Sequence, residues 1–288
     1  MLQKNGSLAA KSSQQPVLFA FHFISLCEIS PLSPKSALIM FRRIAATISL
    51  FTRIPIARWM SISHVEYGRT APFYAIVGWI VGGLVALVFY LVDFLFTQPV
   101  TVAIALTFSV FLTGGLQEGG LAYFFDNLGG RHGQRFYVKN RTDKQIGIQG
   151  ILGVALALIL QFAILQELSP ALVPWIILSG ESLSRLATIT LIDTNRYLRP
   201  KEGYDAAPAF SKLGIDGWLI VLATGTLPFL LTLKLKIWFA IIPLVAVRII
   251  MEIFFKRFRG GVNFEECLAT QQFCLIAFYL GVSAIPNV

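Results

Sequence analysis

Seven stretches of this chain are apolar almost without a break, and each approaches the roughly 20 residues a helix needs to cross bilayer hydrocarbon. They run 71–96, 99–116, 147–166, 170–192, 217–233, 237–255 and 269–287. A water-soluble fold cannot absorb them. Only 14% of the 288 residues are charged and 56% are hydrophobic, whereas soluble domains carry about 25% charged residues. More than half of any folded surface is apolar already, so such a domain has no room to hide the excess. The sequence therefore predicts an all-α fold, a polytopic transmembrane helical bundle of about seven spans. The second and fifth stretches are the shortest, so six spans and one re-entrant segment is the other count they allow.

Basic residues of a membrane protein are sorted by side, with Lys and Arg gathered in the cytoplasm. With seven spans and a cytoplasmic N-terminus, segments 1–70, 117–146, 193–213 and 256–268 hold 20 of the 24 basic residues. Topology thus accounts for the net charge of +9, and no nucleic-acid partner is expected. The expected location is the inner cell membrane, multi-pass, with the active side in the cytoplasm. Residues 1–39 are rich in Ser, Gln, Pro and Lys, and their apolar run around Pro16–Cys27 is too short to span and lacks a clear cleavage site. They read as a disordered or mis-assigned N-terminal extension, with a better opening at Met40-Phe41-Arg42-Arg43. Residues 40–288 read as a single integral membrane domain. Cys27, Cys267 and Cys274 fit no metal or disulfide spacing and read as buried free thiols.

Polar chemistry concentrates in segment 117–146, read as a cytoplasmic loop, and in the glycine run that leads into it. Gly114, Gly115 and Gly120 allow close backbone approach, and N–H groups in such turns can hold phosphate. Glu118, Asp126 and Asp143 stand among Arg131, Arg135, Lys139, Arg141 and Lys144. Carboxylates in that setting can hold Mg²⁺ while the cations meet phosphate oxygens. A solvated loop whose charge only enforces topology fits the same composition. Within the spans, Glu181 with Arg185 and Arg248 with Glu252 stand i to i+4, the spacing of a helical ion pair. Charges at membrane depth mark candidate functional sites. The second pair lies near the interface and reads as structural.

Six patches, in order along the chain, resemble one family. Thr113-Gly114-Gly115-Leu116-Gln117-Glu118-Gly119-Gly120-Leu121-Ala122-Tyr123-Phe124-Phe125-Asp126-Asn127 resembles the T-G-G-L-H-E-D-G-L-A-D-x-x-D-G pattern of the cobalamin synthase family, adenosylcobinamide-GDP ribazoletransferase. Phe51-Thr52-Arg53-Ile54-Pro55 resembles its F-[LT]-T-R-[LIV]-P opening, and Ala71–Gly78 its P-x-x-G entry to the first span. Asp143–Gly150 is similar to D-S-R-[IV]-G-[TA]-[YF]-G. Ser184-Arg185 with Tyr197-Leu198-Arg199 is similar to S-R followed by Y-x-R. Gly260-Gly261 and Ala269-Thr270-Gln271-Gln272 resemble the ends of G-G-x-T-G-D-x-L-G-A-x-x-Q.

The resemblance implies a Mg²⁺-dependent membrane transferase. It would join α-ribazole, or its 5′-phosphate, to adenosylcobinamide-GDP, release GMP and give adenosylcobalamin or its phosphate. It further implies Asp126, Glu118 and Asp143 in catalysis, and Asp126 and Glu118 with Glu265 or Glu266 on the metal. Arg53, Arg185 and Arg199 would contact phosphate or substrate. The implied partners are these small molecules, the lipid bilayer, and other enzymes of the pathway or a second copy. The chain departs from the pattern at its acids. Where the family has aspartates at i, i+4 and i+7, this chain has Gly119, Tyr123 and Asp126. Glu118 persists, but on a helix it sits about 80° from the Asp126 face. These departures keep a second reading open, a catalytically impaired relative that binds a corrinoid or acts as a scaffold. A transporter would show an internal repeat, and none is seen.

Overall fold

The computed structural model describes residues 34–56, 70–128, 146–198, 213–232 and 235–285. The helices are α1 (Pro34–Phe51), α2 (Tyr74–Asp93, entered through a 3₁₀ turn at Ala71–Phe73) and α3 (Gln98–Thr113). They continue with α4 (Leu116–Leu128), α5 (Ile148–Glu167), α6 (Val173–Thr194) and α7 (Ile215–Leu230). A 3₁₀ stretch at Leu235–Ala240 leads into α8 (Ile241–Phe258), and α9 is Phe264–Ser283. Among the described residues there is no strand, only an isolated bridge between Tyr197 and Val262. Backbone contacts divide the chain into residues 1–41 and 42–288. Of the first unit, the opening turns of α1 are described, with Leu38–Phe41 exposed.

Every one of the seven apolar stretches is helical, but they are unequal. Ala71–Asp93, Ile148–Glu167, Val173–Thr194 and Lys236–Phe258 are each long and apolar enough to cross a membrane. Helices α3 and α4 qualify only together, and they are bent by 89° at their junction. Length and composition thus give four candidate spans among the described residues, or five with the bent pair. Helix α7 has 16 residues, about 24 Å at 1.5 Å per residue. Helix α9 carries Glu265, Glu266, Thr270, Gln271 and Gln272, polarity its place inside the bundle explains.

One expectation is corrected here. Residues 117–128 are not loop: Leu116–Leu128 is a helix laid along α9, with Gln117, Gly120, Leu121, Ala122, Phe124 and Asn127 buried. The physical reason is an apolar stripe interrupted by polar residues, which lowers the hydropathy without breaking the helix.

Helix α6 is the hub, packed against α2, α7 and α9. Its seam with α2 relies on Gly78 and Gly82. A β-carbon on Gly78 would lie 2.7 Å from the Glu181 carbonyl oxygen, and one on Gly82 2.9 Å from the Leu178 Cα. Small residues four apart let helix backbones approach where lipid supplies no hydrophobic drive. Helix α7 joins through a helix-breaking residue. Pro228 has no N–H, so the Thr224 carbonyl four residues back loses its partner. Trp79 Nε1 (2.6 Å) and Ser182 Oγ (3.1 Å) donate to it instead. On α8, Arg248 pairs with Glu252 and donates to the Thr190 carbonyl and the Thr190 and Thr194 hydroxyls, tying α8 to α6. That pair is structural, as its spacing suggested.

Candidate active site

The site begins at a hinge. Helix α3 ends at Gly114, and Gly114 and Gly115 both adopt positive φ, 72° and 68°. Few residues other than glycine hold that conformation cheaply. The chain restarts at once as α4. The segment after α1 docks on the hinge: the Arg53 N–H donates to the Leu112 carbonyl (2.8 Å), and a β-carbon on Gly114 would meet Arg53 Nε at 2.8 Å. Arg53 thus packs against the Gly114–Gly115 hinge, with its side chain exposed.

From the hinge, α4 runs antiparallel to α9, and Gly120 brings them close. A β-carbon there would be 2.5 Å from Leu268 Cβ and 2.7 Å from the Glu265 carbonyl. Gly120 thus approaches a helix, not a loop. One turn earlier, Gln272 Nε2 donates to Gln117 Oε1 (3.1 Å) and Glu118 Oε1 (3.2 Å). Gln161 of α5 donates to Gln272 Oε1 (3.2 Å). Glu118, Gln161 and Gln272 border a cavity of about 10 Å³ that Ser109, Glu181 and Tyr279 also line, among others. That is room for about one water molecule.

Beside this cavity lies the Glu181–Arg185 pair, with Arg185 fully buried. Arg185 also donates to the Glu181 carbonyl (2.8 Å), and its guanidinium stands 5.6 Å from the Tyr74 ring centre. The Tyr74 hydroxyl donates to Gln271 Oε1. Six helices therefore deliver polar side chains to one interior zone. Among the described residues, Arg185 Nε and Nη2, Glu118 Oε2, Gln117 Nε2 and Gln271 Nε2 are buried there without a partner. Buried orphan groups of this kind call for an explanation, and a ligand or water is the usual one. Arg185, which the resemblance implies at phosphate or substrate, lies inside the bundle beside this cavity.

The far end of α4 is differently occupied. Asp126 accepts the Gly147 N–H at one carboxylate oxygen (2.7 Å) and the Gly150 N–H at the other (2.8 Å). These are first-turn donors of α5, so Asp126 caps that helix from across the chain. Tyr123, where the family pattern has an acid, meets Asn263 Nδ2 through its hydroxyl (3.4 Å). Asn263 and Glu266 form a capping box at the start of α9, and Glu266 pairs with Arg259 (2.8 Å). Glu265 is half-buried and outside that pairing. Burial, reinforced by Glu266 and Glu265, pushes the Cys267 thiol well up. Cys267 and Cys274 are buried free thiols, as expected, while Cys27, Asp143 and Arg199 lie outside the described residues.

The donors bear on Mg²⁺ as follows. Among the described residues no three Asp, Glu, His or Cys side chains gather to hold a metal. Asp126 is engaged by α5 and Glu266 by Arg259 and Asn263. Glu118 and Glu265 remain. Mg²⁺ commonly takes one or two carboxylates, with substrate phosphate and water completing its shell. The residues fit that mode and not a preformed cage. Sequence reasoning missed Gln161, although a polar residue amid Ala-Leu-Ala-Leu-Ile-Leu of an apolar span was the available clue.

Residues 43–283 match the cobalamin-5-phosphate synthase family. Adenosylcobinamide-GDP ribazoletransferase of Shewanella putrefaciens is 30% identical over 241 residues, 83% of this chain and 92% of the relative. The enzyme of that name from Shewanella baltica is 29% identical over the same shares. No solved structure matches the chain.

Proposed function

Because the chain belongs to the cobalamin-5-phosphate synthase family, we propose that it joins α-ribazole, or its 5′-phosphate, to adenosylcobinamide-GDP. The ribazole hydroxyl oxygen forms the new P–O bond, the P–O bond to GMP breaks, and the hydroxyl proton leaves to a base or water. The observation that carries this reading is the contact of Gln272 on α9 with Gln117 and Glu118 on α4. Those residues belong to two separate patches of the family pattern, and here they meet in one buried place.

In this reading Glu118 is the carboxylate nearest the chemistry, since its Oε2 has no partner among the described residues. Glu118 or Glu265 would hold Mg²⁺ alongside the diphosphate, and the ion would neutralise charge on the phosphoryl oxygens. Arg53, exposed at the hinge, would receive phosphate. Asp126 serves by fixing α5 to α4. The enzyme works in the inner membrane with these groups toward the cytoplasm, in keeping with the gathering of Lys and Arg in the segments between helices.

The test is GMP release by the purified full-length protein in detergent, given adenosylcobinamide-GDP, α-ribazole and Mg²⁺, with and without chelator. Coupled release of GMP and formation of the joined product is expected. Glu118→Gln should slow it by about 100-fold or more. Full activity in Glu118→Gln removes that residue from the mechanism, and corrinoid binding without GMP release overturns the transferase reading.

A further inference from the structure

Gln161 lies outside every patch that resembles the family, on a helix whose outer face is Ile151, Leu152, Leu156 and Ile159. It is nonetheless 4% exposed and turned inward. A polar side chain in a spanning helix is costly to bury and persists where it has a partner. Its partner is the Gln272 carbonyl oxygen, at 3.2 Å.

That contact fixes more than itself. An amide side chain can present either its oxygen or its NH₂ group in a given direction. Gln161 donates to Gln272 Oε1, and the Gln272 NH₂ group faces the other way, toward Gln117 Oε1 (3.1 Å) and Glu118 Oε1 (3.2 Å). The reverse orientation would set the Gln272 oxygen against a carboxylate oxygen. Glu118 is thereby held at one oxygen, while Oε2 has no partner among the described residues. Gln161, Gln272, Glu118 and Glu181 border the same cavity.

We propose that Gln161 is a positioning residue for the transferase, acting through Gln272 to orient the Glu118 carboxylate. This rests on the assignment of Glu118 to the reaction made above. In this role Gln161 acts only through Gln272, so its removal should alter turnover and leave ground-state binding alone.

The experiment uses three full-length variants in detergent, with thermal unfolding as a check on folding. Gln161→Met keeps the shape and removes the donor; kcat should fall about tenfold with KM within about twofold, the size of one lost orienting hydrogen bond. Gln272→Met should fall by as much or more, and the double variant no further than Gln272→Met, because the two act in series. Gln161→Glu, kept protonated by burial beside the Glu118 and Glu181 carboxylates, still donates through O–H and should restore at least about half of kcat. Wild-type kcat in Gln161→Met, additive losses in the double variant, or a parallel rise in KM overturns the proposal. If Gln161→Met does not fold, Gln161→Glu carries the test, and a tenfold loss in that folded variant overturns it. Full activity of Glu118→Gln would instead remove the assignment beneath it, whereas an inactive Glu118→Gln beside a fully active Gln161→Met would remove the proposal about Gln161 alone.

Discussion

Helices α6 and α8 are both long and apolar enough to cross a bilayer, and they are built in opposite ways. In its most apolar window α6 is 78% buried, α8 only 22%. Helix α6 carries Glu181, Ser182, Ser184 and Arg185 and buries all four. Helix α8 turns Ile242, Ile249, Ile250 and Ile253 outward. Hydropathy in a bilayer selects the helices that face lipid, because lipid is the solvent that rewards it. Polar interruptions select the inner helices, where each polar group needs a protein partner. Helix α9 is the limiting case, too polar to pass as a span and buried along most of its length.

The sharpest way to break this contrast is to unpair the inner helix. Arg185→Met leaves Glu181 as a buried charge, and loss of one partner of a buried pair costs about 3–5 kcal/mol. Unfolding in detergent should register that loss, and adding Glu181→Leu should recover most of it. Ile250→Ala on the outer face of α8 should stay within about 0.5 kcal/mol. Comparable losses at the two positions would mean that the inner and outer roles are wrongly drawn.

Gly119 and Gly120 repeat the contrast within two residues. A β-carbon at Gly119 meets nothing within 4 Å, while one at Gly120 runs into Leu268 and the Glu265 backbone. Gly120→Ala should destabilise by about 1–3 kcal/mol through overpacking. Gly119→Ala should stabilise by about 0.4–1 kcal/mol, since it removes freedom from the unfolded chain and clashes with nothing. Thermal unfolding of the two variants side by side decides the matter, and equal shifts would place Gly120 outside the α4–α9 seam.

The outer shell was legible in the sequence for the reason just given. Runs such as Ile151–Ile159 declare themselves, and all seven apolar stretches were found as helices. The ion pairs at Glu181 and Arg248 were legible from i to i+4 spacing alone. Helix α4 was hidden, because Gln117, Glu118, Gly119 and Gly120 lower the hydropathy of a segment that packs inside protein. Its carboxylates were also hidden in their roles. That Glu118 points to Gln272 while Asp126 reaches the start of α5 depends on contacts between residues 21 to 154 positions apart, which no local pattern encodes. Gly147 and Gly150 entered only as part of the Asp143–Gly150 patch, and each stands where a β-carbon would intrude on the Asp126 carboxylate.

Asp126 offers an intermediate effect that separates helix capping from chemistry. Asp126→Ala removes both acceptors from the start of α5 and should cost about 1–2 kcal/mol. Asp126→Asn keeps one acceptor oxygen and should cost roughly half as much. If Asp126 acts through α5, GMP release should follow stability across the two variants. A folded, stable Asp126→Asn that is wholly inactive would instead return Asp126 to the reacting groups.

The smallest effect tests how the inner shell repairs its own backbone. The Thr224 carbonyl, orphaned by Pro228, takes hydrogen bonds from Trp79 and Ser182. Trp79→Phe keeps the ring and drops one of the two donors, for an expected loss of about 1 kcal/mol. In a Pro228→Ala background the residue at 228 regains an N–H, α7 can close its own hydrogen bond to Thr224, and the same Trp79→Phe change should then cost less. A double-mutant cycle read by thermal unfolding gives the coupling. An undiminished cost would mean that Trp79 stabilises the junction by packing, and that the polar repair of α7 rests on Ser182 alone.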